Sequence, residues 1–282
     1  MIRLIGLELE KIFRLRRTYV VFALVVIFLG LMLWGVSEAR FRTLERIASR
    51  WHLDPQDYIN GFFFVRVSLQ PACLFLLPLF VALLAGYEFA GEAAGGTLRF
   101  LCIRPVKRRQ IFFAKFFAIL GFTFLLTFIL IMLYLVAGLW FFGSGELIIN
   151  GRGFFAISTP YTISASEAFI RLMWAVPIIT LAAFAMATFA MCLSVFTDSP
   201  ATAIVTAIST YFICHILGQF PFEIFQTIKP YLLTSAMNYW GDLFLESPPV
   251  KVLFRDASLL FCYIISFMLI GLHHFRHKDI LS

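Results

Sequence analysis

Six separate runs of apolar residues constrain this chain more than any other feature, because each is about as long as the 20 or so residues a helix needs to cross a hydrocarbon core about 30 Å thick. They occupy residues 19–36, 67–87, 112–140, 169–196, 201–219 and 257–272. Runs of this length, without the roughly ten-residue alternation of barrel strands, exclude an outer-membrane barrel and predict six helices. Composition agrees: 61% of the 282 residues are hydrophobic and 14% charged, against about 45–50% and about 25% in soluble domains. The expected fold is therefore an all-α polytopic membrane protein, one transmembrane domain over residues 1–282. The first run follows a charged segment and lacks a small-residue cleavage site, so it is read as a retained span and not a signal peptide.

Lysine and arginine set the expected orientation. They gather before the first run (Arg3, Lys11, Arg14, Arg16, Arg17) and between the second and third (Arg99, Arg104, Lys107, Arg108, Arg109, Lys115). By the positive-inside rule both segments, and with six spans both termini, belong in the cytoplasm. Trp34, Trp140 and Trp174 fall near the outer ends, where indole prefers to sit. The first outer loop departs from the rule with Arg40, Arg42, Arg46, Arg50 and Arg66, interspersed with Glu38, Glu45, Asp54 and Asp57. The net charge of +7 is thus a topology signal and implies no nucleic-acid partner.

Residues 2–17 pattern as an amphipathic helix, with Arg3, Glu10, Arg14 and Arg17 on one side and Ile2, Ile5, Leu9, Ile12 and Phe13 opposite. Such a helix suits the inner membrane surface, its cations near anionic lipid. The third run would measure roughly 43 Å, so it either tilts or projects from the membrane. Segment 220–256 is punctuated by Pro221, Pro230, Pro248 and Pro249, which predicts short re-entrant-like helices on the outer side before the last span. Segment 143–166 reads as an irregular or short-stranded lid.

Few side chains suggest chemistry. Glu88 and Glu92 lie four apart on an expected helix and can face the same way, yet no His or Asp beside them completes a metal set. A solvated docking helix is the expected role. The stretch Gly91-Glu-Ala-Ala-Gly-Gly-Thr97 lacks both the lysine and the preceding strand of a phosphate-binding loop, and its glycines are read as a chain reversal. His215, beside Cys214, is placed in the middle of the fifth span, a candidate polar site at membrane depth, with a neutral imidazole bonded to a neighbouring helix as the ordinary alternative. His273, His274 and His277 read as a wet tail, and Glu167 with Arg171 as an interfacial pair. The five cysteines form no CxxC or zinc spacing, so no metal site is assigned. No series of carboxylates crosses the spans as a proton relay.

The segment from 87 to 115 carries E-x-x-x-E-x-x-x-G-T-L and then R-P-V-x-R-x-Q-I-x-x-x-K, formed by Glu88, Glu92, Gly96, Thr97 and Leu98, then Arg104, Pro105, Val106, Arg108, Gln110, Ile111 and Lys115. This resembles the cytoplasmic loop of ABC-2-type transporter permeases, the membrane subunits of type 2 ABC exporters. The order of parts is similar over nearly the whole chain.

The resemblance implies that residues 88–110 form a coupling loop whose helix, with Glu88, Glu92, Gly96, Thr97, Leu98 and Arg99, docks on a separate ABC ATPase subunit. It makes residues 1–17, with Glu8, Lys11 and Arg14, a connecting helix against that same subunit. The chain would then be no enzyme and bind no cofactor; ATP and magnesium would sit on two partner ATPase copies. A second permease copy, as a homodimer, would complete the transporter in a bacterial cytoplasmic membrane, exporting an unidentified substrate. Rival readings are an intramembrane enzyme, an ion-coupled carrier, or a scaffold passing ATPase motion to a periplasmic protein.

Overall fold

The structure, a computed structural model, describes residues 1–42, 59–97, 107–149 and 161–278. Among these, six helices are long and apolar enough to cross a membrane: Arg16–Glu38, Gly61–Tyr87, Arg108–Phe142, Ala165–Phe196, Pro200–Leu217 and Val250–His277. The chain is an all-α, multi-pass membrane protein with one small hairpin. Successive spans reverse direction. The amphipathic helix, residues 88–97 and the end of the sixth helix share one end of the bundle, the terminal end; the hairpin and short helices share the other, the hairpin end.

The fourth span is the axis of the bundle, packing against the second, third, fifth and sixth. Its buried Ala182, Ala183, Ala185, Ala187 and Ala190 let neighbouring backbones approach closely, as small residues do where no hydrophobic force drives helices together in lipid. The second and third spans meet closer still. A Cβ on Gly61 would lie 2.7 Å from the Leu139 amide nitrogen, and one on Gly138 2.7 Å from the Gly61 carbonyl oxygen.

The second span is interrupted. Helix Gly61–Pro71 passes through a π-helical turn, Ala72–Leu76, into helix Leu77–Tyr87. Pro78 has no N–H to give the carbonyl of Leu74, four residues earlier. The Tyr211 hydroxyl of the fifth span donates to that carbonyl at 2.8 Å, which resolves the polar debt that a span in lipid cannot leave open.

At the hairpin end, β1 (Leu147–Ile149) pairs antiparallel with β2 (Tyr161–Ile163), Leu147 opposite Ile163. This matches the short-stranded lid. The Tyr161 hydroxyl donates to the Phe244 carbonyl at 2.6 Å. Short helices follow at Glu223–Ile228 and Leu233–Ala236, with 3-10 turns at Lys229–Tyr231 and Tyr239–Phe244. Arg171 pairs with Glu167 as expected and also donates to the carbonyls of Leu243 and Leu245, at 2.9 and 2.6 Å. It is therefore a tie between the fourth span and the cap.

The sixth helix starts at Val250, seven residues before its apolar run, because Lys251, Arg255 and Asp256 lie in its first turns. The short-helix segment shrinks accordingly. His215 is corrected too: the fifth helix ends at Leu217, which puts His215 in its last turn, half-buried beside Tyr211, and not at mid-span. The amphipathic helix ends at Arg14 and not Arg17. Leu15 is extended, and the first span begins at Arg16.

Candidate functional site

Where the amphipathic helix, the end of the second span and the start of the third converge, six charged side chains meet in a largely buried group. Lys115, 0% exposed, sits at the centre. Its Nζ donates to Glu92 Oε1 at 2.7 Å and to Glu88 Oε2 and Glu8 Oε2 at 3.1 Å each. Lys11 also donates to Glu92 Oε1, and reaches Glu8 Oε2 at 3.3 Å. Arg17 lies over the Tyr87 ring, its guanidinium carbon 3.4 Å from the ring centre, within electrostatic range of Glu88. Three carboxylates thus face three cations, and an enclosed group of this size is tolerable only when so balanced.

Local sequence explains the placement. Glu8 and Lys11 are one helical turn apart and share a face, which the packing of Leu9 on Gly121 and Phe13 on Phe122 turns toward the third span. Arg14 points elsewhere, exposed and paired with Glu10 at 2.5 Å. The second span breaks after Tyr87, and the short helix Ala90–Ala94 starts with its first amides capped from outside. Ser194 Oγ, on the fourth span, accepts from Phe89 N at 3.0 Å and Ala90 N at 2.9 Å. Phe89 stacks on Phe112 of the third span and leans on Phe275 of the sixth, ring centres 5.7 and 4.8 Å apart.

The carboxylates are therefore not the solvated docking groups expected from spacing: Glu88 and Glu92 are 3% and 5% exposed. What the short helix presents to solvent is Ala94, Gly95 and Thr97. Of its glycines only Gly96, at φ +67°, uses the left-handed conformation of a turn. Gly91 has a different reason: a Cβ there would lie 2.1 Å from the Tyr87 ring. Leu98 and Arg99, also expected in docking, lie outside the described residues.

Charge is shaped by this packing. Burial alone would push the Glu8 carboxyl up, but Lys115 and Lys11 outweigh it and hold the carboxyl below its ordinary value. For Lys11, burial and then the like charge of Lys115 win over Glu88 and Glu8, and its ammonium is pulled down.

The C-terminal end of the sixth helix closes the same face. Arg108 Nη1 donates to the carbonyls of Arg276 and Lys278 at 3.1 and 2.8 Å, and Lys278 Nζ to Val195 O at 3.0 Å and Asp198 Oδ1 at 2.7 Å. These bonds satisfy carbonyls that helix ends leave orphaned. His274 stacks on Phe196, so the histidine tail is partly docked.

Sequence reading missed Lys115 as the hub, and missed Ser194 and Tyr87. The one available signal was a lysine at the fourth position of the third apolar run. Among the described residues, no three His, Cys, Asp or Glu side chains gather as a metal site. No curated protein matches the chain. A family model does, over residues 23–281, and the chain belongs to that family, described as proteins of unknown function (DUF2705).

Proposed function

We propose that this chain is the permease subunit of an ATP-binding-cassette exporter in a bacterial cytoplasmic membrane, working as a pair of copies with two separate ATPase chains. The observation that carries the reading is the mechanical fixation of the short helix Ala90–Ala94. A soluble motor can move spans only through a handle that does not yield, and this one is held by Lys115 and Phe112 of the third span, Ser194 of the fourth and Phe275 of the sixth. The amphipathic helix is bound into the same group through Glu8 and Lys11. Displacement of the exposed Ala94–Thr97 surface would therefore reach four spans and that helix together.

In this reading Glu88 and Glu92 transmit force from inside, and the exposed residues make the docking contact. Both termini face the ATPases. Affinity purification of the chain from its native membrane is expected to recover a P-loop ATPase. Ala94→Arg and Thr97→Arg, which remove no ion pair of the cluster, should each cut that recovery by about tenfold or more; Ala94→Arg should leave the melting temperature unchanged, and Thr97→Arg loses only the bond of its hydroxyl to the Glu92 carbonyl at 3.3 Å. Undiminished recovery with both variants, or transport that outlasts ATP and collapses with the proton gradient, would overturn the reading.

A further inference from the structure

The three histidines that close the sixth helix part company in the structure. His274 is parked against Phe196, ring centres 4.2 Å apart. His273 and His277 lie one helical turn apart and exposed, with ring centres 4.6 Å apart. Two imidazoles at i and i+4 on one face have the spacing by which a helix chelates zinc. The separation fits as well. Bonds of about 2.0–2.1 Å from an ion to each imidazole nitrogen put the ring centres roughly 3.2 Å from it, so two rings sharing it stand about 4.5–5.2 Å apart between a right angle and the tetrahedral angle.

The ring nitrogens agree with this. His277 Nδ1 lies 2.9 Å from the His273 carbonyl oxygen. A carbonyl only accepts, so Nδ1 carries the proton and the neutral ring keeps its lone pair on Nε2. Such a bond on the far nitrogen is what orients metal-binding histidines generally. The His273 ring makes no hydrogen bond among the described residues, so turning a nitrogen toward an ion breaks nothing. Nearby charge acts both ways. Arg276, exposed beside the pair, and Arg108, bonded to a carbonyl of the same turn, repel a dication. The negative end of the helix dipole attracts one, and Lys278 is neutralised by Asp198 at 2.7 Å.

We propose that His273 and His277 hold one divalent cation of the zinc type, water filling its other positions, and that the ion fixes the last turn of the sixth helix. Imidazole suits zinc, nickel and copper, whereas magnesium and calcium take oxygen ligands. From that turn the carbonyls of Arg276 and Lys278 hold Arg108 of the third span. Binding therefore stiffens the joint between the sixth and third spans. The site is independent of the exporter reading and would persist if that reading failed.

The test uses the full chain in detergent, purified without a polyhistidine tag and stripped of metal by chelation. Zinc chloride titrated against a competing indicator should bind, and excess magnesium should not displace it. His273→Ala and His277→Ala should each weaken binding by about tenfold or more, since loss of an orienting partner alone costs a metal site about 10–100-fold. His274→Ala should leave it unchanged. Zinc should also slow amide hydrogen exchange over residues 274–278 in the wild type and not in His277→Ala, which zinc adhering elsewhere would not do. Wild-type affinity in either of the first two variants, an equal loss in His274→Ala, or exchange over 274–278 that zinc leaves unchanged overturns the proposal.

Discussion

Lys115 shows why a single residue can organise this fold. A lysine with no exposed surface must find its counter-charges inside, and Glu8, Glu88 and Glu92 supply them from three different stretches of chain. Removing it takes from Glu88 its hydrogen-bonded cation and leaves Glu8 and Glu92 with Lys11 alone, so Lys115→Ala is expected to cost about 3–5 kcal/mol in unfolding measurements in detergent. Acid should act on the same group from the other side. Glu8, surrounded by Lys11, Lys115 and the carboxylates of Glu88 and Glu92, ionises below its ordinary value of 4.5. Its stabilisation is fully present above that value and is lost as pH falls through the lower folded one. The melting temperature should therefore drop below a pH of about 4.5, and Glu8→Gln should make that drop shallower. None of these pairings was legible in the sequence, because 107 positions separate Glu8 from Lys115 and only tertiary packing brings them together.

At the scale of elements, the spans were legible and their defects were not. Apolar length fixes where a helix can cross, but helix ends depend on caps and neighbours. Lys251 and Arg255 hid the start of the sixth helix from a hydropathy reading, and Leu15 hid the break between the amphipathic helix and the first span. The π-turn is likewise a matter of partners: the spacing of Pro71 and Pro78 hints at a weak point, yet only Tyr211 shows how the freed Leu74 carbonyl is satisfied. Tyr211→Phe should destabilise the protein by about 0.6–1.7 kcal/mol, the range of hydrogen bonds between helices in lipid. The two glycines of the short helix should separate by mechanism. Gly91→Ala drives a methyl into the Tyr87 ring that supports Arg17, an overpacking worth about 1–3 kcal/mol. Gly95→Ala meets only the Gly91 carbonyl at 3.3 Å, and should change the melting temperature far less.

For the whole molecule, the arrangement of contacts decides what can move relative to what. The amphipathic helix is joined to the third span twice, by Leu9 and Phe13 in apolar contact and by Glu8 in the ion cluster, whereas the first span is exposed along much of its length. The amphipathic helix should thus travel with the third span as one body while the first span follows more loosely. Joining them covalently tests this. A Leu9 Cδ atom lies 3.8 Å from where a Cβ on Gly121 would stand, so Leu9→Cys with Gly121→Cys, on a background whose native cysteines are replaced, can be bridged by a short thiol cross-linker. On the proposed exporter reading, if the two elements move together, the bridge leaves ATP hydrolysis by a co-purified ATPase within about twofold of the uncrosslinked value, because it forbids no motion the cycle uses. Arrest by this bridge would show that the cluster opens during work, and would move Lys115 from the frame of the protein to its hinge.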